Sequence, residues 1–574
     1  MRLAFDIETN GLMPEVDTLH CLVIKDIDTG EITSLMNDKG FSVGLDMLSS
    51  ADLIIGHNII KYDLPVLQKI CPWFTYDETK VFDTLTASRL MWTNLFERDV
   101  ITKRIEKKLY GSHGLEAWGC RLGEWKGDYS KEMKANGLNP WAEWNQEMQD
   151  YCVQDVEVTH KFFKLIESKK YSKRALDIEH QMQFIIAQVE RNGYAFDVEV
   201  ATKLFAELSV EREQRATALR DLFQPWYKPD GLPKEAKVNR LGDGITKGCI
   251  YQKLSHTVFN PNSDEQIADR LMVVNGWKPT KFTPGGRPKI DETVLRELPY
   301  PEAQTLAEYR ELQKVITQLG DGPQAWLKKV KDGRIYGSYN INGTVTGRAT
   351  HSHPNIGQVP SVSAFKGAEC RELFGQPTQL GCDVSGLELR MLAHYMRDDD
   401  YTADVVEGDI HTRNMKAAGL SDRNQAKTFI YAFLYGAGNQ KIGSIVGQGP
   451  KTGGKLRKSF LEQTPSLKRL INGVKNTAKL NGAVNALDGR QIHIKSPHSA
   501  LNFLLQSAGA IVCKVWIIEF VRLLKEAGVY QDGVQIVAWV HDEIQMELAD
   551  SVNADDIGKP VSYTHLTLPT KRIV

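Results

Sequence analysis

The segment RNQAKTFIYAFLYG, residues 423–436, decides how the rest of the chain is interpreted. Its strong helix formers predict a helix, in which Arg423, Lys427, Tyr431 and Tyr435 recur at every fourth position. Residues four apart lie on one helix face, so two cations followed by two aromatic rings form a single stripe. Cationic groups suit a triphosphate, and flat rings suit a base and a sugar. The pattern indicates a nucleotide-binding helix, although a basic end on an ordinary amphipathic helix would give similar letters.

Acidic residues flank this helix in the sequence, one before it and two after it. Asp383 lies near the end of an apolar strand, and residues 534–540 form a second apolar run that is followed by Asp542 and Glu543. Apolar residues resume at 544–546, so the pattern predicts two strands joined by an acidic turn. Carboxylate oxygens are the ligands that Mg²⁺ prefers in proteins. Asp383 is therefore a candidate metal ligand, and so is the acidic turn, although a polar hairpin turn would explain the latter alone.

A second set of acidic residues lies in the first part of the chain. Asp6 and Glu8 are two positions apart at the end of a predicted strand, so their side chains point to the same face. Asp63 follows an apolar strand, and Tyr151 and Asp155 share one face of a predicted helix. Four carboxylates suit two divalent cations about 4 Å apart, which activate water and stabilise the leaving oxygen of a phosphodiester. Each acid taken singly would be an ordinary solvated carboxylate.

The composition is that of a soluble protein with several domains. A length of 574 residues predicts three or four domains, and 42% apolar with 25% charged residues are ordinary globular values. No apolar run approaches the roughly 18 residues of a membrane span, and we expect no signal peptide. The 8 cysteines include no Cys-x-x-Cys pair, which argues against disulfide scaffolds and structural zinc. The first 170 residues are net acidic and the remainder is mildly basic.

The first acid set resembles that of the proofreading 3′–5′ exonuclease family, which has four metal-binding acids and a Tyr-x-x-x-Asp third motif. The resemblance covers about residues 1–165. It implies that Tyr151 orients the attacking water. The implied metal ligands are Asp6, Glu8, Asp63 and Asp155.

The helix at 423–436 resembles the nucleotide-binding helix of family A DNA polymerases, and further motifs follow the order of that family. These motifs are Thr346-Gly347-Arg348-Ala349-Thr350, Asp409-Ile410-His411, Ser496-Pro497-His498 and Leu505-Gln506-Ser507-Ala508-Gly509-Ala510. With them the resemblance extends over nearly the whole chain, and it is most pronounced to the replicative polymerases of short-tailed bacteriophages.

The polymerase resemblance implies roles for individual residues. Asp383 and Asp542 would bind two Mg²⁺ ions, with Mn²⁺ as an alternative, and Glu543 would support that site. Residues implied to bind the nucleotide are His411, Arg423 and Lys427 at the triphosphate, Glu388 at the sugar 2′ position, Tyr431 at the 3′ position and Tyr435 closing the pocket. Residues implied to contact the primer–template are Arg348, Asn502, Gln506 and His541.

The resemblance also predicts the fold class and the domain order. We expect an α/β exonuclease domain of the ribonuclease H-like type, followed by an α+β right-hand polymerase with palm, thumb and fingers. The predicted domains are the exonuclease at 1–168, the polymerase start and thumb at 176–335, the palm at 336–402, the fingers at 403–495 and a truncated palm at 496–560. The sequence pattern predicts strands at 3–7, 21–25 and 53–56, and helices at 144–168, 176–223 with a break at 191–193, 264–275 and 301–331.

The implied function is template-directed DNA synthesis from dNTPs by two-metal phosphoryl transfer, with 3′–5′ proofreading, for replication of a phage genome. The implied partners are primer–template DNA, dNTPs, and a phage helicase-primase and single-strand binding protein, in the host cytoplasm and without a membrane. Two alternatives remain open from the sequence. A stand-alone 3′–5′ exonuclease would leave the second acid set unused, and an inactive truncated polymerase would only bind nucleic acid.

Two segments depart from a family pattern. Residues 449–455 imitate a phosphate-binding loop, but Leu456 stands where a Ser or Thr should hold Mg²⁺, so we expect a basic, flexible loop in the fingers. Residues 229–257 form a basic, exposed excursion at the place where the best-known phage relatives carry a long thioredoxin-binding insertion. Because this excursion is much shorter, we expect weak or absent thioredoxin dependence.

The last residues resemble no polymerase. Residues 561–570 read VSYTHLTLPT, which back-translates to a transposon-end adapter used in sequencing libraries. We expect that 561–574 is a non-native tail produced by read-through into such an adapter.

Overall fold

The structure is a computed structural model that describes residues 1–36, 38–124, 127, 129–135, 137–240, 242, 244–375 and 378–558. The predicted non-native tail at 561–574 lies outside the described residues. The chain forms two compact units, the first made of residues 1–193, 338–352 and 377–574, and the second of 194–337 and 353–376. This division is coarser than the predicted domain boundaries, which stay predictions.

The regular elements are numbered in chain order. The strands are β1 Arg2–Thr9, β2 Leu19–Asp26, β3 Ile32–Leu35, β4 Leu53–Gly56, β5 Val81–Asp83, β6 Tyr194–Ala195, β7 Trp226–Pro229, β8 Lys234–Glu235, β9 Ile250–Tyr251, β10 Leu254–Thr257, β11 Val330–Lys331, β12 Arg334–Ile335, β13 Ser338–Asn340, β14 Thr350–Ser352, β15 Gln379–Asp383, β16 Ala483–Asn485, β17 Gln491–His493, β18 Val534–Val540 and β19 Glu543–Leu548. The helices are α1 Asp38–Ser50, α2 Asp63–Ile70, α3 Thr84–Met91, α4 Leu95–Thr102, α5 Leu115–Leu122, α6 Tyr129–Ala135, α7 Gln146–Ser168, α8 Lys173–Asn192, α9 Val198–Leu222, α10 Asp264–Asn275, α11 Glu292–Glu297, α12 Pro301–Ile316, α13 Trp326–Lys329, α14 Gly367–Glu372, α15 Leu387–Met396, α16 Asp399–Val406, α17 Ile410–Ala418, α18 Arg423–Leu434, α19 Asn439–Ser444, α20 Pro450–Gln463, α21 Pro465–Asn481 and α22 Ala500–Glu526.

The N-terminal part of the first unit is built on a five-stranded mixed sheet with the order β3-β2-β1-β4-β5. β1 is antiparallel to β2 and parallel to β4, and β5 runs parallel to β4. Separate apolar clusters cover the sheet, and helix α7 packs on β1 and β2. The strands at 3–7, 21–25 and 53–56 and the helix at 144–168 are confirmed to within two residues at each end. The predicted α/β architecture of this part is therefore confirmed.

A three-stranded antiparallel sheet with the order β15-β19-β18 lies in the later part of the first unit. β18 and β19 form the predicted hairpin, with His541 and Asp542 in its turn. Helix α22 packs against α15, and Gly509 permits this close approach because a Cβ there would lie 3.1 Å from Leu387 Cδ2. The sheet, with helix α22 packed nearby, thus supports the acidic turn.

Helix α22 corrects one expectation from the sequence. Within Pro497–Glu526 an 18-residue window has a mean hydropathy of 1.6. This helix is therefore long and apolar enough to cross a membrane. However, 78% of that window is buried inside the protein. The prediction that no run approaches a membrane span is therefore wrong, and burial identifies α22 as a core helix.

The segment that imitates a phosphate-binding loop is helical rather than a flexible loop. Gly449 is the N-cap of α20 and Pro450 is its first residue, a position where the missing N–H of proline costs nothing. Gly453 is buried against α19, and a Cβ there would lie 2.0 Å from the carbonyl oxygen of Asn439. The prediction of a loop is wrong, because the glycine at 453 allows α20 to pack closely against α19.

The second unit has a helical core and exposed hairpins. Helices α9 and α12 pack together, and β7 pairs with β10 while β8 pairs with β9. The predicted excursion at 229–257 is therefore folded into strand pairs, and most of its side chains are exposed. The α-helix predicted at 301–331 ends at Ile316, and a π-helical turn continues from Thr317 to Asp321. The helical path stops there, because Gly322 is extended and is followed by Pro323, which cannot continue a helix.

A buried cluster of charges joins four segments of the first unit. The carboxylate of Glu179 on α8 accepts hydrogen bonds from Lys514 Nζ at 2.7 and 2.8 Å and from Asn342 Nδ2 at 2.8 Å. Arg490 pairs with Glu179 at 2.7 Å and with Asp488 at 2.5 Å. Burial lowers the pKa of Lys514 to about 8. Against the effect of burial, Lys514 and Arg490 hold the pKa of Glu179 below its usual value. Two positive and two negative charges therefore balance inside the core.

Replacing Lys514 with Met should destabilise the fold by about 3–5 kcal/mol, because Glu179 would stay buried with one cation fewer. The midpoint of urea unfolding of the full chain, followed by tryptophan fluorescence, measures the change. Lys525→Met is the matched control on the same helix, since Lys525 is 51% exposed and should change stability by no more than about 0.5 kcal/mol. Equal losses in the two variants would contradict the role given to the cluster.

Candidate active sites

The first acidic residues gather where β1 ends. Carboxylate oxygens of Asp6 and Glu8 and the Sγ atom of Cys152 all lie within 4.8 Å of one another. Helix α7 carries Cys152 to this place, and its thiol donates to the Asp6 carbonyl oxygen at 3.4 Å and approaches the Asp6 carboxylate at 3.7 Å. The structure thus puts Asp6 and Glu8 on one face, as alternate positions of a strand require.

Asp63 joins this group from the start of α2. It is 4% exposed, and the backbone N–H of Ile7 donates a hydrogen bond to it. Burial, together with the negative charges of Asp83 and Asp155, raises the pKa of Asp63 to about 7, against the effect of the backbone hydrogen bonds. Asp63 and Asp155 are therefore close enough to repel each other, whereas among the described residues the cluster within 4.8 Å contains Asp6 and Glu8 but neither of these two acids.

Helix α7 supplies the other residues of this site. Asp155 is buried, and Tyr151 lies one turn before it, half-buried. The ring of Tyr151 packs with its centroid 5.8 Å from that of Tyr129 and 6.4 Å from that of Trp141. This aromatic group fixes the position of the Tyr151 ring one helical turn before Asp155.

Sequence reasoning missed Tyr62 and Cys152. The Tyr62 hydroxyl lies 2.5 Å from both Thr9 Oγ1 and the Gly11 carbonyl oxygen, and burial raises its pKa, as do the nearby carboxylates. The sequence could have pointed to both residues, because each is the immediate neighbour of a predicted site residue, Asp63 or Tyr151.

The second acid set lies on the three-stranded sheet. Asp383, the last residue of β15, is opposite Glu543 in the strand register. The backbone N–H of Val384 donates to the Asp542 carbonyl oxygen at 3.0 Å. His541 adopts the left-handed φ of 60°, and Trp539 Nε1 donates to its carbonyl oxygen at 2.8 Å. This turn holds the Asp542 backbone directly beside the end of β15.

Burial and neighbouring negative charges raise the proton affinity of Asp383 and Asp542. Burial raises the pKa of Asp542, and the charges of Asp383 and Glu388 raise it further. Burial also raises the pKa of Asp383, with a contribution from Glu388. Hard oxygen ligands that repel one another fit a divalent cation such as Mg²⁺ or Mn²⁺, whose charge relieves the repulsion. The same reasoning fits Asp6, Glu8, Asp63 and Asp155 as a second cation site.

Glu388 links the acid set to the aromatic end of the stripe. Its Oε1 accepts from Arg348 Nη2 at 3.1 Å and from the Tyr435 hydroxyl at 3.1 Å. Burial together with the Glu388 charge raises the pKa of Tyr435 to about 12. The rings of Tyr431 and Tyr435 lie with centroids 6.5 Å apart and nearly parallel. One carboxylate therefore positions both Arg348 and the outer tyrosine.

The cationic end of the stripe lies at the start of α18. Arg423 donates to Asp409 through Nε at 2.8 Å and through Nη2 at 3.1 Å. Lys427 is exposed one turn later. Burial lowers the pKa of His411, and the neighbouring cations Arg423 and Lys427 lower it further. The structure therefore brings together the three residues that the motif pattern grouped, His411, Arg423 and Lys427.

The predicted primer–template residues fall in two places. Arg348 and His541 line a small cavity together with Asp542 and Cys513. Asn502 and Gln506 are one turn apart on α22, and both are half-buried. The first pair thus lies at the acidic turn, and the second pair shares one helix face.

Comparisons with known proteins match nearly the whole chain. A family model described as DNA polymerase family A matches residues 242–559. The DNA-directed DNA polymerase of Enterobacteria phage T3 is 38% identical over 676 aligned positions, which cover 97% of this chain and 95% of that protein. The corresponding polymerase of Escherichia phage T7 is 38% identical, covering 94% and 93% of the two chains.

A solved structure gives the same result for the fold. The polymerase domain of Pol1 from M. smegmatis, in complex with a DNA primer-template and dNTP, superposes with a TM-score of 0.74. The match covers 99% of this chain and 92% of that one at 17% sequence identity, so it shows the fold alone. Because the family model matches more than half of the residues and the phage relatives align over nearly the full length, the chain belongs to DNA polymerase family A.

Proposed function

We propose that this family A DNA polymerase extends a primer along a DNA template with dNTPs, at the site formed by Asp383, Asp542 and the α18 stripe. The observation that carries the proposal is the meeting of three parts in one place. The Asp383 charge raises the pKa of Asp542, the Glu388 charge raises the pKa of both aspartates, and Glu388 in turn contacts Tyr435 of the stripe. The residues proposed as metal ligands, sugar pocket and triphosphate contacts would therefore form one continuous surface.

Divalent cations held by Asp383 and Asp542 would neutralise charge on the transferring phosphate and favour loss of the primer hydroxyl proton. The residues of the chain provide the positioning. Arg423, Lys427 and His411 would bind the triphosphate through cationic and N–H donors. Glu543, opposite Asp383 in the register, would support the metal ligands.

The aromatic end of the stripe would select the sugar and the base. Tyr435 would close the nucleotide pocket by stacking, with Tyr431 beside the sugar 3′ position. Glu388 would crowd the sugar 2′ position and exclude a hydroxyl group there. Arg348, Asn502, Gln506 and His541 would contact the primer–template in the minor groove, where contacts test base-pair shape rather than sequence.

We also propose a 3′–5′ exonuclease at the N-terminal sheet. Its support is the clustering of Asp6 and Glu8 and the raised pKa of Asp63 beside Asp155. Cations there would activate a water that Tyr151 orients. Such an activity would remove a mispaired primer end before synthesis resumes.

The wider setting rests on similarity to phage relatives. We propose replication of a phage genome in the host cytoplasm, with a helicase-primase and a single-strand binding protein as partners. Weak or absent thioredoxin dependence stays a prediction. Its support is the shortness of the excursion at 229–257. The alignment to the phage T3 protein spans 676 positions, more than the 574 residues of this chain, so the relative has residues that this chain lacks.

Asp542→Asn should reduce the nucleotide incorporation rate by at least about a thousand-fold, because it removes a charged metal ligand at the transferring phosphate. Single-nucleotide extension of a labelled primer–template measures the rate. Asp550→Asn is the matched control, since Asp550 is exposed just after β19. Near-normal extension by Asp542→Asn would reject the proposed polymerase site.

Asp6→Ala combined with Glu8→Ala should abolish degradation of single-stranded DNA and leave primer extension unchanged, because the two acid sets are borne by different sheets. Digestion of a labelled oligonucleotide without dNTPs, and extension with them, measure the two activities. Asp46→Ala on α1 is the control for loss of an exposed acid from the same part of the chain. Parallel loss of extension in the double variant would contradict separate sites.

Glu388→Ala should lower discrimination against ribonucleotides by about ten-fold or more, because it opens space at the sugar 2′ position. The ratio of kcat/KM for a dNTP and its matching rNTP measures discrimination. Glu388→Gln keeps the bulk and an acceptor for the Tyr435 hydroxyl, so it should keep most of the discrimination. If the two variants behave alike, charge rather than crowding controls the sugar.

A further inference from the structure

The ion pair between Asp409 and Arg423 has a geometry that suits a task beyond neutralising charge. Arg423 is the first residue of α18, and Asp409 is the N-cap of α17, the helix that carries His411. We propose that Asp409 is a positioning residue that orients Arg423 and His411 together for the nucleotide triphosphate. This inference rests on the proposed function of Arg423 and His411, and it goes beyond it by naming the group that orients them.

Asp409 is bound from two sides. Its carboxylate accepts from the backbone N–H groups of His411 at 3.2 Å and Thr412 at 3.3 Å, and from Thr412 Oγ1 at 2.7 Å. The same carboxylate accepts both hydrogen bonds from Arg423. Because the backbone contacts fix the carboxylate, its orientation sets that of the guanidinium. The start of α17 and the head of Arg423 are therefore coupled through one side chain.

The pairing leaves the guanidinium able to bind a second anion. A guanidinium carries five N–H donors, and Asp409 uses one on Nε and one on Nη2 of Arg423. Within the described part of the chain, no acceptor is recorded for the two donors of Nη1 or the second donor of Nη2, so these three can bind phosphate oxygens. A carboxylate bound edge-on in this way orients the group without occupying all of it.

The local charges explain why an anion is needed here. The pKa of His411 is lowered by burial and by the charges of Arg423 and Lys427, and Asp409 acts in the opposite sense. Arg423 is 53% exposed, so without a partner its long side chain would sample many rotamers in solvent. Asp409 restricts that freedom before the nucleotide arrives, which lowers the entropy cost of binding.

The opposite role for Asp409 is competition with the triphosphate. An anion that must leave before phosphate binds would weaken nucleotide binding, so its removal would lower KM. A positioning anion would give the reverse sign. The direction of the change in KM therefore separates the two roles.

The test is the steady-state KM and kcat for a single dNTP on a defined primer–template, using the full chain. Asp409→Asn retains an N-cap for α17 but loses the charge that holds Arg423. We expect KM to rise by about two- to twelve-fold, the range for ordering one long side chain, with a smaller change in kcat. Asp422→Asn is the matched control, because Asp422 is the exposed N-cap of α18 and adjoins Arg423 without pairing to it in the described hydrogen bonds. This control should leave KM within two-fold of the original chain.

Two further variants keep the test decisive. Arg423→Ala should raise KM, and adding Asp409→Asn to it should cause little further change, because the positioned group is already absent. If Arg423→Ala leaves KM unchanged, the proposed triphosphate contact fails. If Arg423→Ala raises KM but Asp409→Asn leaves it unchanged or lowers it, the contact stands and the positioning role of Asp409 is overturned. Asp409→Glu, which keeps the charge, should restore part of the loss seen with Asn.

Discussion

The buried charge cluster around Glu179 is the constraint on which the first unit depends. Its members come from α8, from the segment after β13, from the β16–β17 hairpin and from α22. An unpaired charge on α8, on the β16–β17 hairpin or on α22 would cost several kcal/mol, so these segments must assemble in one register, and Asn342 from the segment after β13 adds a hydrogen bond to Glu179. One of these segments, α22, itself carries the proposed primer–template residues Asn502 and Gln506, and the segment after β13 leads into the turn that carries Arg348. Core electrostatics and the polymerase site are therefore linked through shared backbone.

Both acid sets use strands to hold like charges close together. At β1, alternate residues put Asp6 and Glu8 on one face, and the backbone N–H of Ile7 between them donates to Asp63 at the start of α2. At the second sheet, the register sets Asp383 beside the hairpin turn that carries Asp542. Burial raises proton affinity at both places, which is unfavourable for an apo protein and favourable for binding divalent cations. The rigid sheets resist the repulsion that would otherwise separate the carboxylates.

Single carboxylates also organise the proposed nucleotide-binding surface. Glu388 bonds Arg348 and Tyr435, and Asp409 bonds Arg423 while it caps the helix of His411. Each acid therefore connects residues that lie far apart in the sequence. This arrangement explains how α18 can present an exposed stripe with defined side-chain directions, because each end of the stripe is held by an acid from another element.

The sequence alone determined the periodic features: the α18 stripe, the strands of the N-terminal sheet, the acidic hairpin and the acids two or four positions apart. These follow from local spacing, because helix and strand periods decide which side chains share a face. The tertiary structure alone decided that Cys152 lies beside Asp6, that Asp409 holds Arg423, and that Glu179 and Lys514 pair in the core. Such contacts join distant segments and leave no local period in the sequence. The helix at 450–463 and the burial of α22 were misjudged for the same reason, since glycine and apolar runs acquire their meaning from the elements packed against them.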